Sequence, residues 1–305
     1  MHDPAAESGV RGREIAMLTN PTAGRGRGAR HRDAALTRLR DSGFVVRNLQ
    51  GRDADEAGDL ARACVADGVE ALVVCGGDGL VHLGVQAVAG TGVPLGLIPS
   101  GTGNDVARYL DLPRTDPVAA ADRIVASRRR TIDLARSGDR YFVTVMAAGF
   151  DAVVNERANA MTWPRGQARY TLATLAELRT FRPIPYVLEL EDGSGGTRTV
   201  EHEAMLVAVG NGPSFGGGLR ITEGALLDDG LLDVVVITRM SKPKLVRSYP
   251  RLFTGRIAGV EEYVHRRVRS VTVAAPGIVS YADGERFGPL PLTVECAPGA
   301  LEVIA

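Results

Sequence analysis

Cysteine is scarce in this chain: three in 305 residues, at positions 64, 75 and 296, each in apolar surroundings. An odd, scattered set builds neither a disulfide framework nor a zinc site, and it predicts reduced core thiols in a cytoplasmic protein. Long apolar runs are missing as well. No stretch approaches the ~18 apolar residues of a membrane-spanning helix, and residues 1–12 lack the apolar core of a secretion signal, so they read as a disordered leader. Net charge is also absent. Lys plus Arg equals Asp plus Glu at 36 each, so no global field advertises a nucleic-acid partner. The length suffices for two domains with proper cores.

Glycine, by contrast, is plentiful at the ends of apolar runs. Residues 71–75 and 95–98 are short and nearly free of charge, as expected of strands buried on both faces of a parallel sheet. They break into Gly76-Gly77-Asp78-Gly79 and Pro99-Ser100-Gly101-Thr102-Gly103-Asn104-Asp105, followed by helix-like segments over 81–89 and 104–110. Glycine adopts positive φ freely and lets backbone N–H groups approach a phosphate, and a helix N-terminus behind each turn adds partial positive charge. The carboxyl edge of an open α/β sheet is where ligands bind. A third unit of this kind opens the chain: a strand over 14–19 ends at Asn20-Pro21-Thr22-Ala23-Gly24, and a helix carrying Leu36 and Leu39 inward runs to about residue 40. Arg25, Arg27 and Arg30 suit phosphate there, although a flexible solvated turn explains a basic Gly-rich loop as well. The loop is not a Walker A motif, since no Gly-Lys-Ser/Thr follows, and it lacks the G-x-G-x-x-G fingerprint. A strand over 44–49, a helix over 53–66 capped by Asp53 or Asp55, a helix over 117–127 and a strand over 131–134 containing Asp133 complete this half.

Beyond residue 135 the pattern changes to consecutive strands over 141–147, 186–191, 197–209, 231–238, 268–274, 278–282 and 292–296. Several alternate apolar and polar residues, which indicates antiparallel sheets in a second, β-rich domain, with a cleft between the two. Helices over 167–181 and 241–253 interrupt it. Residues 239–269 hold nine Lys or Arg against two Glu, a local net charge of +7. An apolar stripe opposite a basic one suits an anionic bilayer surface, although a core-packed helix with a solvated face explains it equally, and Pro250 is expected to interrupt the helix. The turn Leu226-Leu227-Asp228-Asp229-Gly230-Leu231-Leu232-Asp233 offers hard oxygen ligands. Tyr281-Ala282-Asp283-Gly284-Glu285 ends a strand with a carboxylate pair that fits either a general base or a hairpin turn.

In this order, the 20–24 loop, Gly-Gly-Asp-Gly, the Gly101-Thr102-Gly103-Asn104-Asp105-Val106-Ala107-Arg108 turn, the Asp229 turn and Asp283-Gly284-Glu285 resemble the soluble bacterial diacylglycerol kinases, which share a fold with sphingosine and ceramide kinases. The resemblance runs from about residue 13 to the C-terminus. It implies a three-layer α/β nucleotide-binding domain over 13–135, a β-sandwich lipid domain over 136–289, and a segment near 290–305 packing back onto the first. The active site would lie in the interdomain cleft. ATP and Mg²⁺ are implied too. Asn20, Pro21, Thr22, Ala23, Gly24, Gly76, Gly77, Asp78, Gly79, Leu80, His82, Gly101, Thr102 and Asn104 would line the nucleotide site. Asp229 with the carbonyls of Leu226 and Leu231 would hold a structural Mg²⁺, with Asp133 in the same network. Glu285 or Asp78 would be the base for the lipid hydroxyl.

The chain departs from the family at one place. Gly79-Leu80-Val81-His82-Leu83 stands where Gly-Thr and a following Asn-Glu are usual, which removes a hydroxyl donor to phosphate. The amides of Leu80 and Val81 would still serve as donors, and His82 either replaces a polar contact or faces solvent. The resemblance implies a lipid substrate at the inner membrane face, peripheral association and no nucleic acid, and it leaves room for a homodimer. Sphingosine, ceramide or glycolipid acceptors, a soluble NAD kinase, and a non-catalytic nucleotide or lipid sensor stay open as alternatives.

Overall fold

The computed structural model describes residues 13–20, 27–163, 169, 172–173, 176–177 and 180–305. The first elements are β1 (Glu14–Thr19), α1 (Arg27–Asp41), β2 (Val45–Leu49), α2 (Ala54–Ala66), β3 (Leu72–Gly76), α3 (Asp78–Val88), β4 (Leu95–Pro99), α4 (Asp105–Tyr109), α5 (Pro117–Ala126) and β5 (Arg129–Ser137). There follow β6 (Arg140–Phe142), β7 (Val145–Gly149), α6 (Phe150–Ala160), β8 (Ile184–Glu191), β9 (Thr197–Gly210), β10 (Leu232–Thr238) and α7 (Lys242–Thr254). The last strands are β11 (Tyr263–Val268), β12 (Ser270–Ala274), β13 (Val279–Ala282), β14 (Glu285–Pro289) and β15 (Leu292–Ile304). The chain divides into two compact units: Met1–Gly101 with Leu112–Arg130 and Val303–Ala305, and Thr102–Asp111 with Thr131–Glu302.

In the first unit the strand order is β2-β1-β3-β4, with Val303 and Ile304 of β15 beside β4, and every pairing is parallel. The expected charge-free strands are β3 and β4, and both are buried throughout. Alternate residues go to opposite faces. Ile15, Met17, Val73 and Ile98 pack with Leu36 and Leu39 of α1 and Ile124 of α5. On the other face Gly84 lets α3 close on the sheet, because a Cβ there would lie 2.6 Å from Val74 Cγ2 and 3.2 Å from Leu95 Cδ1. The result is helix, sheet, helix in three layers. Asp53 is the cap of α2, its Oδ1 accepting from Glu56 N at 2.9 Å. The three cysteines are free and buried, and burial pushes the thiols of Cys75 and Cys296 up to about 12.

In the second unit the 14-residue β9 is the central element. Its first half pairs antiparallel with β8, and its second half lies between β7 and β10. From β8 the sheet continues to β12 and β15, from β7 to β13 and β14, and from β10 to β11. One apolar cluster gathers Phe142, Tyr186, Val207, Val271 and Phe287; another gathers Val145, Phe181, Met205, Ile237 and Met240, with Leu245 and Leu252 of α7 packed against it. The apolar side of α7 therefore faces its own core, as the second of the two sequence readings held. Residues 102–111 group with this unit through bonds from Arg108 and Tyr109 to Gly217 and Ala225.

Several elements differ from expectation. Residues 141–147 form two strands instead of one, β11 precedes β12 as a separate strand, and α6 follows β7 without a sequence signal. Pro250 does not interrupt α7, which ends at Gly255 with φ 69°. The ring stands on the exposed side, while Leu245 and Leu252 anchor the helix on either side of it, so packing outweighs the roughly 3 kcal/mol helix penalty. The leader over 1–12 and most of the helix expected over 167–181 lie outside the described residues. No helix among the described residues is long and apolar enough to cross a membrane.

Gly84→Val should lower stability by about 1–3 kcal/mol through overpacking at β3, read as a fall in Tm; an unchanged Tm would contradict the close approach of α3. Thiol reagents should label Cys75 and Cys296 in the unfolded chain and leave them unmodified in the folded one.

Candidate phosphoryl-transfer site

In the order β2-β1-β3 the chain reverses direction between β1 and β3, and the crevice beyond the carboxyl ends of those two strands is the topological switch point. β1 delivers Thr19, whose hydroxyl donates to Leu49 O at 3.3 Å, and then the exposed Asn20. Pro21, Thr22, Ala23 and Gly24 lie outside the described residues. β3 delivers the Gly76-Gly77-Asp78-Gly79 turn, in which Gly77 caps α3 and the half-buried Asp78 is the first helical residue. Gly76 O accepts the Ser100 amide at 2.9 Å, and a Cβ on Gly77 would stand 3.2 Å from Gly101 Cα. The two glycine turns thus touch backbone to backbone. Beside them the Ser100 hydroxyl oxygen is buried without a hydrogen-bond partner among the described residues.

Two expectations about this stretch are corrected. The amides of Leu80 and Val81 are not free donors: both donate to Gly77 O, at 3.0 and 3.1 Å, because they close the first turn of α3. His82 does not face solvent; it is 6 % exposed, on the side of α3 turned to the interior. Leu80 folds over Gly76, where an added Cβ would meet its Cδ2 at 2.6 Å, so the residue that replaces the family Thr is a packing residue.

In the second unit, Thr102 is exposed and Asn104 is buried in the left-handed conformation at φ 52°. Behind them Asp105 Oδ2 accepts from Gly217 N at 2.7 Å, and Arg108 Nη2 donates to Gly103 O at 3.0 Å and Gly217 O at 3.3 Å. The acid and base of this motif hold the loop carrying Gly217, which pins the turn's backbone.

Asp283-Gly284 is the two-residue turn of the β13–β14 hairpin, with φ of 52° and 88°. The Asp283 carboxylate accepts from Val143 N at 3.0 Å, Thr144 N at 2.8 Å and Thr144 Oγ1 at 2.6 Å. Glu285 is exposed and makes no hydrogen bond or ion pair with the described residues. Asn211, fully buried and missed in the sequence, extends the network. Its amide and that of Gly212 donate to Thr144 O at 2.8 and 2.9 Å, and its side chain donates to Asp133 O and Val143 O at 2.9 Å. Asp133 in turn accepts from Gly230 N at 2.7 Å and Gly299 N at 2.8 Å. The Glu285 hairpin and the Asp229 turn therefore lie on one chain of hydrogen bonds.

At that turn Asp229 accepts from Leu231 N at 3.0 Å through Oδ1 and pairs with Arg267 through Oδ2. Nearby, Asp233 is buried and paired with His265 Nε2 at 2.6 Å. Arg267 and His265, both on β11, were not singled out in the sequence. No three Asp, Glu, His or Cys side chains gather as a metal cage among the described residues, so a cation here would have to draw on peptide carbonyls such as those of Leu226 and Leu231. One carboxylate with peptide carbonyls is a hard-oxygen set that fits Mg²⁺, with Arg267 competing for one carboxylate oxygen.

Residues 14–137 match the family model of the diacylglycerol kinase catalytic domain, and residues 144–305 that of the YegS C-terminal NAD kinase beta sandwich-like domain. A diacylglycerol kinase of Mycobacterium tuberculosis is 43 % identical over 296 residues, covering 95 % of this chain and 94 % of its own length. One from Bacillus subtilis is 25 % identical over 279 residues, covering 90 % of each. The crystal structure of a diacylglycerol kinase from Bacillus anthracis superposes with a TM-score of 0.76 at 23 % identity, covering 96 % of this chain and 97 % of its own. An NAD kinase from Archaeoglobus fulgidus in complex with ATP superposes at 0.53 and 14 % identity, covering 96 % of this chain and 93 % of its own, which relates the folds. With both halves matched in order and the identity sustained along 95 % of its length, the chain belongs to the diacylglycerol kinase family of ATP-dependent lipid kinases.

Proposed function

We propose that this protein transfers the γ-phosphoryl group of ATP to the hydroxyl of diacylglycerol, producing phosphatidic acid. The carrying observation is the 43 % identity to a diacylglycerol kinase over 95 % of the chain, which spans both halves of the machinery. Phosphoryl transfer passes through a loose transition state, so positioning and charge neutralisation supply most of the rate. The touching turns at Gly77 and Gly101 cradle the phosphates, with Asn20 and Asp78 at the switch point, and Thr102 and Asn104 continue the cradle. Glu285 is the base for the lipid hydroxyl. It is exposed and makes no hydrogen bond or ion pair among the described residues, whereas Asp78 is already engaged in an interaction. Asp283 positions the hairpin that presents it. Mg²⁺ supplies charge neutralisation on the ATP phosphates, and a second ion held by Asp229 with the carbonyls of Leu226 and Leu231 would brace the Asp133 network.

The enzyme works peripherally on the membrane. Arg247 and Arg251 of α7 are exposed and have no ion pair among the described residues, and Val246 beside them is 55 % exposed. Among the described residues Lys244 pairs with Glu262 and Arg267 with Asp229, and Arg239 lies 3.5 Å from Glu203, so the free charge is smaller than the sequence count.

The test is transfer of labelled γ-phosphate to diacylglycerol in mixed micelles. Glu285→Gln should lower kcat by about 10²-fold or more with little change in KM for ATP; a wild-type rate would remove Glu285 as base, and no transfer by the wild-type protein would reject the acceptor. Asp283→Ala should lower both kcat and Tm, costing about 1–3 kcal/mol for the donors left unsatisfied at Val143 and Thr144. In Arg267→Gln, Mg²⁺ should raise Tm more than in the wild type, since the competing guanidinium is gone; an equal response would place Mg²⁺ away from Asp229.

A further inference from the structure

An open groove of about 1060 Å³ lies on the second unit, and none of its lining residues is assigned above to phosphoryl transfer. Its floor is apolar. Phe181, Met205 and Met240 are at most 9 % exposed, and Pro183 continues the surface. Its rim is cationic, with Arg182, Arg239, Lys242 and Lys244 against the single acid Glu262, a net charge of +3. Lys244 lies 2.6 Å from Glu262 and holds that carboxyl below the usual carboxylate range, so the acid is neutralised. Arg239 reaches Glu203 only at 3.5 Å, with both side chains mostly exposed, an arrangement that water screens strongly. Arg182 is exposed and has no ion pair among the described residues.

The groove is also remote from the Glu285 hairpin. Met205 precedes Gly210 by five residues on β9, so the groove lies about 17 Å along the strand, at ~3.4 Å per residue, from the end where Asn211 and Thr144 hold Asp283. Cations over an apolar floor match an amphiphile that carries a phosphate ester. A neutral lipid leaves the rim unmatched, and free phosphate leaves the floor unmatched. The floor is rich in Met, whose flexible thioether adapts to variable acyl chains.

We propose that this groove binds an anionic phospholipid of the bilayer, its phosphate against Arg182 and Arg239 and its glycerol ester and first methylenes over Met205 and Met240. The bound lipid orients the second unit on the membrane. The inference rests on the lipid-kinase reading for the presence of a bilayer, and on the groove alone for the site.

The test uses the full chain labelled with methyl-¹³C methionine, with the two signals assigned by Met205→Leu and Met240→Leu. Dihexanoyl phosphatidylglycerol below its micelle concentration should move both signals saturably, while dihexanoyl phosphatidylcholine and inorganic phosphate should not. The double variant Arg182→Glu with Arg239→Glu, at unchanged Tm, should lose this shift and bind phosphatidylglycerol vesicles about tenfold more weakly. Arg247→Glu with Arg251→Glu should keep the shift. Unmoved signals, equal response to phosphatidylcholine, or a shift produced by inorganic phosphate alone would each overturn the proposal. Transfer to diacylglycerol in neutral-detergent micelles is read separately: loss of transfer with intact shifts strikes the proposed function, and intact transfer without shifts strikes the groove.

Discussion

A side chain on Gly77 would bring its Cβ to 3.2 Å from the Gly101 backbone, and the Gly76 carbonyl already holds the Ser100 amide at 2.9 Å. That contact sets the geometry of the first unit's ligand edge. Two βα turns can lie this close only if neither carries a side chain at the point of approach, and parallel pairing of β3 with β4 brings them side by side. The start of α3 follows from it. Gly77 O collects the amides of Leu80 and Val81, Leu80 lies across Gly76, and Ser100 is left with a buried hydroxyl that no described residue satisfies. A leucine at position 80 seals the turn from beneath, whereas a threonine would have offered a hydroxyl.

In the second unit polar groups do the equivalent work. Asn211, Asp133 and Asp283 are buried or nearly so, and each is paired several times, as buried polar groups must be if they are not to cost stability. A network of this kind holds two turns rigidly with respect to each other, and it leaves Glu285, two residues beyond Asp283, without a hydrogen bond or ion pair among the described residues.

The parts of this architecture legible in the sequence were those with local causes. Charge-free runs became β3 and β4, an Asp before an apolar-periodic run became the cap of α2, and thiols in apolar contexts became buried ones. The Asp-Gly pair of the β13–β14 hairpin was legible as a turn because positive φ at two successive positions favours those residue types. What failed had distant causes. Pro250 reads as a breaker, yet core anchoring through Leu245 and Leu252 carries the helix past it. His82 reads equally as a polar contact or a solvent-facing residue until the fold buries it, and Asn211 reads as one more loop residue until Thr144 and Asp133 are placed around it.

Sequence alone determined the order of motifs, and with it the family, because glycine at turns and carboxylates at fixed spacing are demanded by backbone sterics and phosphate chemistry wherever they occur. Tertiary structure decided what each motif residue is free to do. Amides expected to meet phosphate close a helix turn, Asp229 is shared with an arginine 38 residues away, and four basic residues scattered over 182–244 line one groove with Met205 and Met240 beneath them. Hydrogen bonds and charges act over a few ångströms in space, and only the folded chain sets which residues fall within that range.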